Sequence, residues 1–276
     1  MPGAPPLKLT DSEAISVIGR EMDMELEAIR VMAQQMQDIL GLSAAVIGVS
    51  FRVDAPLSAM GAALSQHRFC QALMRARHGE TVSLDGEGLA CPAAAAAFGF
   101  RPLPEGLRNG KGLVGFGIVQ DPAVGQKMFE EMPRLAPDQI HSLLIFPLSA
   151  APVIPDVVIV EDDVEKLMWI NLAYLHATGG QRIQSSTAIL QATCVDAAIV
   201  PYLEERLNFS YGCYGCRDAT DLAGSETVVG FPTAVLPAIV NHLEFLAQKA
   251  IPTSRAKKAW GALKAKDAQQ IEKGQR

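Results

Sequence analysis

The chain is poor in aromatic residues, in positive charge and in long apolar runs, and each shortage excludes something. Aromatics are 6% of 276 residues, so the 49% apolar share falls mainly to Ala, Val, Leu and Ile. A net charge of −6 leaves no basic face for a nucleic-acid duplex, and nucleic acid is excluded as a partner. No apolar run reaches the roughly 18 residues that a spanning helix needs, so no membrane segment is expected. The start, MPGAPPLKLT, lacks a charged segment followed by a hydrophobic stretch and a cleavage site, and predicts no signal peptide. With 20% charged residues there is ample material for a core and little for disorder. The expectation is a soluble, cytoplasmic, globular protein.

Several catalytic signatures are missing as well. Gly-x-Ser-x-Gly, His-Glu-x-x-His and calcium-loop patterns do not occur, so serine hydrolase, zincin and EF-hand readings have no motif. The run GLRNGKGLVGFG at 106–117 invites a nucleotide reading. Its glycine-to-Gly-Lys spacing is one residue short, however, and Gly112 stands where Ser or Thr would hold magnesium. It reads as a loop or lid.

Periodicity organises what is present. Thr10 with Glu13 forms a capping box ahead of a long helix, with Ile15, Ile18, Met22, Leu26, Ile29, Met32, Met36 and Ile39 on one stripe and Gly41 as its stop. The stripe suits a core, and serves equally well as a homodimer seam. Strands are predicted at 44–53, 81–84, 142–147, 156–160, 207–211 and 226–231. Helices are predicted at 66–78, 121–132, 162–177, 185–199 and 233–249, with a short one opened by Cys91-Pro92. The acidic run Glu161, Asp162, Asp163, Glu165 reads as a helix start. Segments 157–170 and 227–240 form a weak strand–helix repeat. Together these predict an α/β fold: one domain over 9–250 with a mixed sheet, a long N-terminal helix and two weakly repeated strand–helix units. A basic Lys-, Ala- and Gln-rich tail follows over 251–276.

Five cysteines, Cys70, Cys91, Cys194, Cys213 and Cys216, are an odd number in a chain with no secretion signal, so structural disulfides are not expected. Cys213 and Cys216 form a C-x-x-C turn within Tyr211-Gly212-Cys213-Tyr214-Gly215-Cys216-Arg217-Asp218. Gly212 and Gly215 would let the backbone turn with φ > 0 and aim peptide N–H groups at the sulfurs. A thioredoxin-like redox pair would need an amphipathic helix after the motif, and RDATDLAGSE does not read as one. A structural zinc site would need four ligands, and no second C-x-x-C or histidine pair is present. Plain burial suits Cys70 and Cys194 best. An iron–sulfur cluster, 4Fe-4S favoured, would take Cys213, Cys216 and Cys91-Pro92, with Cys70 or Cys194 as fourth ligand or one iron left open. This is the preferred reading, with zinc as the alternative. Arg217 would orient a substrate carboxylate beside Asp218, and the partner would be a small-molecule substrate or ligand. Lyase-type or desulfurising chemistry suits an open iron, electron transfer a closed cage. The rival is a non-catalytic sensor holding zinc or changing redox state.

The segments RFCQALMRARHGE (68–80), LACPAAAAAFGF (89–100), CVDAAIVPYL (194–203), FSYGCYGCRDATDL (209–222) and ETVVGFP (226–232) together resemble the prokaryotic "domain of unknown function 169" family, over roughly residues 12–250. The resemblance implies a common fold and a shared site with cysteines at the positions of Cys91, Cys213 and Cys216. It implies no particular reaction.

Overall fold

The computed structural model describes residues 11–53, 60–188 and 190–274, and the predicted Thr10–Glu13 capping box depends on residues outside them. Among the described residues, strands β1 (Ile47–Arg52), β2 (Ala62–Ala63), β3 (Val82–Asp85), β4 (Ser142–Pro147), β5 (Val157–Asp163), β6 (Asn208–Ser210) and β7 (Glu226–Pro232) join in one mixed sheet, ordered β2-β3-β4-β1-β5-β7-β6. The β2–β3 pair is parallel and the others are antiparallel. Around it lie α1 (Asp11–Leu40), α2 (Phe69–Arg77), α3 (Pro92–Ala97), α4 (Glu105–Arg108), α5 (Lys111–Gly115), α6 (Pro122–Glu130), α7 (Val164–Ala177), α8 (Val200–Glu204), α9 (Tyr214–Ala219), α10 (Leu236–Gln248), α11 (Ala250–Ala256) and α12 (Lys258–Gly274). A π-helix, Ala192–Ile199, runs into α8.

Side chains of a strand alternate between faces, and here both faces are covered, so the strands read as nearly unbroken apolar runs. Leu143, Ile145, Val157, Ile159 and Val228 join one core with α2, α3 and the π-helix. Leu144, Phe146, Val158, Val160, Val229 and Phe231 join another with α1, α7 and α10. In the part of α1 whose side chains are described, Ile29, Ala33, Met36 and Leu40 are buried within the chain. The two predicted strand–helix repeats lie side by side. β5 and β7 pair antiparallel from Val157↔Pro232 to Asp163↔Glu226, and α7 packs on α10 with His176 stacked on His242 at 3.8 Å. The tail begins in contact with the body, through buried Ile251 and an Arg255 bond to the Leu40 carbonyl at 2.9 Å. α12 is solvent-exposed wherever its side chains are described.

Three predicted elements differ. The helix expected from 162 begins at Val164, because β5 continues to Asp163 in register with β7. Asp162 is buried there by an ion pair to Lys166 (2.8 Å) and a bond from the Ser43 N–H (2.7 Å). The loop expected at 106–117 contains α4 and α5. Gly110, at φ +74°, brings their junction so close to the backbone of Pro122 and Gln126 that no Cβ would fit. The helix expected over 185–199 is irregular through 188. The Asn208 amide takes over its backbone bonding there, accepting from the Ser186 N–H and donating to the Ser186 carbonyl, both at 2.8 Å. Gln191, at φ +60°, then starts the π-helix.

Candidate functional site: a cysteine-lined cavity

One side of the sheet carries a cavity of about 490 Å³, and all five cysteines line it. They reach it from four segments. Cys70 comes from α2, and Cys91 is the N-cap of α3, with Pro92 in its first turn as the sequence predicts. Cys194 lies in the π-helix. Cys213 is the N-cap of α9 and Cys216 sits within it. All five are free thiols. Phe69, Leu113, Phe116, Ile118, Phe129 and Leu190 supply apolar wall, with Leu113 from α5 and Phe129 from α6.

The C-x-x-C segment stands between a strand, β6, and a helix, α9, that begins inside the motif at Tyr214; from Thr220 to Ser225 the chain is not helical, so RDATDLAGSE forms no amphipathic helix, as expected. The α9 helix is only six residues long. It closes through Cys216 N–H and Arg217 N–H bonds to the Cys213 carbonyl (3.0 and 3.1 Å), a local bonding pattern that leaves no amphipathic signature. Gly212 has the expected positive φ, +78°. Gly215 does not, and its use is spatial: a Cβ there would lie 3.6 Å from Arg68 Nη1 and 3.7 Å from Cys213 Sγ, so the missing side chain keeps that corner open.

The electrostatics favour the protonated form at Cys194, Cys213 and Cys216. The Cys216 sulfhydryl so close to Cys213, and then burial, push the Cys213 thiol far up, although the N–H groups of Cys216 and Gln191 point at its sulfur and oppose this. For Cys216, Cys213 lowers the pKa, but Cys70 and burial outweigh it and hold the thiol at about 12. Burial, and then the neighbouring Cys91, Cys216 and Cys213, raise Cys194. The Thr193 hydroxyl is buried without a hydrogen-bond partner of ordinary geometry and faces Cys216, where it favours the thiolate. Among the described residues, no three His, Cys, Asp or Glu side chains are arranged to hold a single metal ion.

The two charged residues singled out beside the motif separate. Asp218 lines the cavity. The Arg217 guanidinium instead binds backbone carbonyls, donating from Nη1 to Ala223 (2.9 Å) and from Nη2 to Glu226 (2.7 Å) and to Tyr211. It staples the turn to the edge of β7 and is not part of the cavity lining. The arginine on the cavity wall is Arg68, whose Nη1 donates to the Gly215 carbonyl at 2.9 Å. Sequence reading missed it because nothing in RFCQALMRAR marks the first residue as facing a turn 147 positions away.

Behind the cavity, the same face holds buried ionisable groups. Arg77 lies between Glu226, which it pairs with closely, and Glu161 at 3.7 Å. Burial pushes the Glu161 carboxyl up to about 7, against the pull of Arg77. Asp196, in the π-helix, accepts from the Ser210 hydroxyl (3.1 Å), and burial raises it to about 6.

This arrangement, a seven-stranded mixed sheet with a cysteine-lined cavity on one face, is that of a single-domain α/β protein. The chain belongs to the domain of unknown function 169 family, DUF169, described as "Uncharacterised ArCR", whose profile matches residues 35–242. The matched stretch contains all five cysteines. Neither the curated proteins nor the solved structures include a match to the chain. No helix among the described residues is long and apolar enough to cross a membrane.

Proposed function

We propose that this is a cytoplasmic iron–sulfur protein whose cluster, of the four-iron, four-sulfide kind, sits in the cysteine cavity and faces a small-molecule substrate. The observation that carries the reading is the convergence of every cysteine in the chain, from four separate segments, on one cavity. Cys91, Cys213 and Cys216 would be ligands, with Cys70 or Cys194 completing the cage or one iron left open. A single zinc ion fits less well. Its ligands must all come within about 2.3 Å of one point, and no three described side chains are so placed. A cluster brings its own iron and sulfide atoms and needs one cysteine sulfur at each iron, rather than all of them around a single ion.

A redox or nucleophilic thiol pair also fits less well, because such thiols need lowered pKa values, and Cys194, Cys213 and Cys216 are all raised. Metal binding reverses that balance, since a thiol loses its proton on coordination. A bound cluster would supply electron transfer when fully ligated, or Lewis acidity for lyase or desulfurising chemistry when one iron is open. The chain's own groups do the rest. The Thr193 hydroxyl and the Gln191 and Cys216 N–H groups stabilise negative sulfur. The apolar wall excludes water, and Asp218 is the carboxylate on the cavity lining that would face a bound ligand.

The test is anaerobic purification or reconstitution with ferrous iron and sulfide, followed by iron, sulfide and zinc analysis. About four irons per chain and broad absorbance near roughly 400 nm are expected, both lost in Cys213→Ser and Cys91→Ser. A colourless, iron-free protein after reconstitution would overturn the reading, and stoichiometric zinc would favour the sensor.

A further inference from the structure

We infer that Arg68 is the anion-recognition residue of the cysteine cavity, and that the ligand taken there is a small molecule with an apolar body and one anionic group, such as a carboxylate. This deepens the ligand-binding part of the proposed function and rests on it, but not on which inorganic centre the cysteines hold.

Among the described residues Arg68 is the one arginine on the cavity lining, and three arginines of the surrounding structure are fully engaged elsewhere. Arg77 is held by Glu226 and Glu161, Arg217 by three carbonyls, and Arg134 by the carbonyls of Phe129 and Met132. Arg68 is different. Its side chain makes one hydrogen bond, from Nη1 to Gly215, and among the described residues no carboxylate lies within 4.0 Å of it. A guanidinium carries five N–H donors in a planar fork, so most of its capacity is open. It is half-buried at the wall of a mainly apolar cavity, where a cation without a counter-charge is costly and an incoming anion is favoured. The open corner beside Gly215 lies between Arg68 and the Cys213 sulfur, so an anion seated on Arg68 is beside the cysteine turn.

The cavity's volume lies in the range of small-molecule pockets. Its aromatic and aliphatic wall, with Phe69 and Phe129 on it, suits a hydrocarbon or aromatic body better than a sugar or a polyphosphate. Asp218, on the same rim, argues against a ligand with several negative charges. One anionic end on an apolar body satisfies all three.

The experiment compares three probes sharing one body, phenylacetate, phenylethanol and phenylethylamine, titrated calorimetrically into anaerobically purified full-length protein with iron measured on the same sample. Phenylacetate is expected to bind about tenfold more tightly than phenylethanol, the effect of a charge-assisted hydrogen bond. Arg68→Gln should bring phenylacetate to the level of phenylethanol while leaving phenylethanol unchanged, and Arg68→Lys should restore part of the preference. Equal binding of the two, a preference that survives in Arg68→Gln, tightest binding of the amine, or no binding at all would each overturn the inference. A carboxylate preference in an iron-free sample would uphold Arg68 while the cluster reading fails. Iron with no preference would do the reverse.

Discussion

On one side of the sheet lie α1, α7 and α10, helices of 30, 14 and 13 residues. On the other, among the described residues, no helix exceeds nine. The long helices satisfy most backbone groups internally and need only an apolar stripe to dock, which Ile29, Ala33, Met36 and Leu40 provide. Short helices are mostly ends, and their unsatisfied groups must find partners in turns, side chains or ligands. Two of those ends, at Cys91 and Cys213, open onto the cavity. The buried charges Arg77, Glu161, Glu226 and Asp196 lie on this side too. One side holds the sheet in shape, and the other uses that rigidity to place thiols and charges.

The largest expected effect that separates the two sides comes from their glycines. A Cβ at Gly230 of β7 would run into the backbone carbonyl of Ala197, where the π-helix crosses the strand. A Cβ at Gly48 of β1 would meet only the ring of Phe146 on the long-helix side. A ring can turn or shift, whereas a carbonyl moves only with its helix. Gly230→Ala is therefore expected to cost roughly 4 kcal/mol and Gly48→Ala roughly half that; on the proposed function, only Gly230→Ala should also lower the iron taken up on reconstitution. Thermal melts with metal analysis check this. Equal losses from both variants would mean that the π-helix is not fixed by its approach to β7.

This contrast also explains what was legible in the sequence. The long-helix side was readable because its signals are periodic: α1, α7, α10 and the strands between them follow apolar spacings of 3.6 or continuous runs. On the cysteine side α2 and α6 were readable in the same way, but the segments that carry Cys91, Cys194 and the C-x-x-C turn follow no regular period. The π-helix occupies what reads as ordinary helix, and the Asn208 amide that replaces helical bonds at Ser186 lies 22 residues away. The C-x-x-C turn and Cys91-Pro92 stood out because glycine, proline and cysteine carry local meaning. The chemistry of Arg68 and Arg217 did not, because an arginine's role depends on which distant carbonyls reach it.

A second pair of arginines sharpens the comparison. Arg217 staples the cysteine turn to three carbonyls, and Arg30 clamps the Ala151 carbonyl on the other side with Nε (3.0 Å) and Nη2 (2.7 Å). Removing either leaves carbonyls without their charged donor, at a cost of about 2 kcal/mol each. On the proposed function, only Arg217→Ala should also lower the iron taken up on reconstitution and weaken phenylacetate binding. If Arg30→Ala did the same, the sides would be coupled through the sheet rather than separate.

The smallest effect is read from two neighbours on β5 that face opposite ways. Asp162 points to the long-helix side. Burial alone would raise its pKa, but the Lys166 ammonium and the Ser43 N–H outweigh burial and hold it below the ordinary aspartate value. Glu161 points to the cysteine side, where burial dominates and lifts it from 4.5 to about 7, and where its Oε2 has no hydrogen-bond partner. The folded state thus binds a proton at Glu161 that the unfolded chain releases above about pH 4.5. Stability from this group is complete below that pH and is lost as pH rises through 7. At Asp162 the sign is opposite: its contribution is present above the unfolded value of 3.8 and is lost as pH falls through the depressed folded value. Glu161→Gln keeps the side chain's volume and leaves Arg77 its Glu226 partner. It should match the wild type at pH 4.5 and exceed it by roughly 1–2 kcal/mol at pH 8. Asp162→Asn should be weaker than the wild type at pH 8 and approach it in acid. Chemical denaturation of the three proteins between pH 4 and pH 8 should therefore give curves that diverge in opposite directions from the wild type. Parallel curves would show that the two carboxyls share one environment, and that the sheet does not separate a carboxylate compensated by its partners from one ruled by burial.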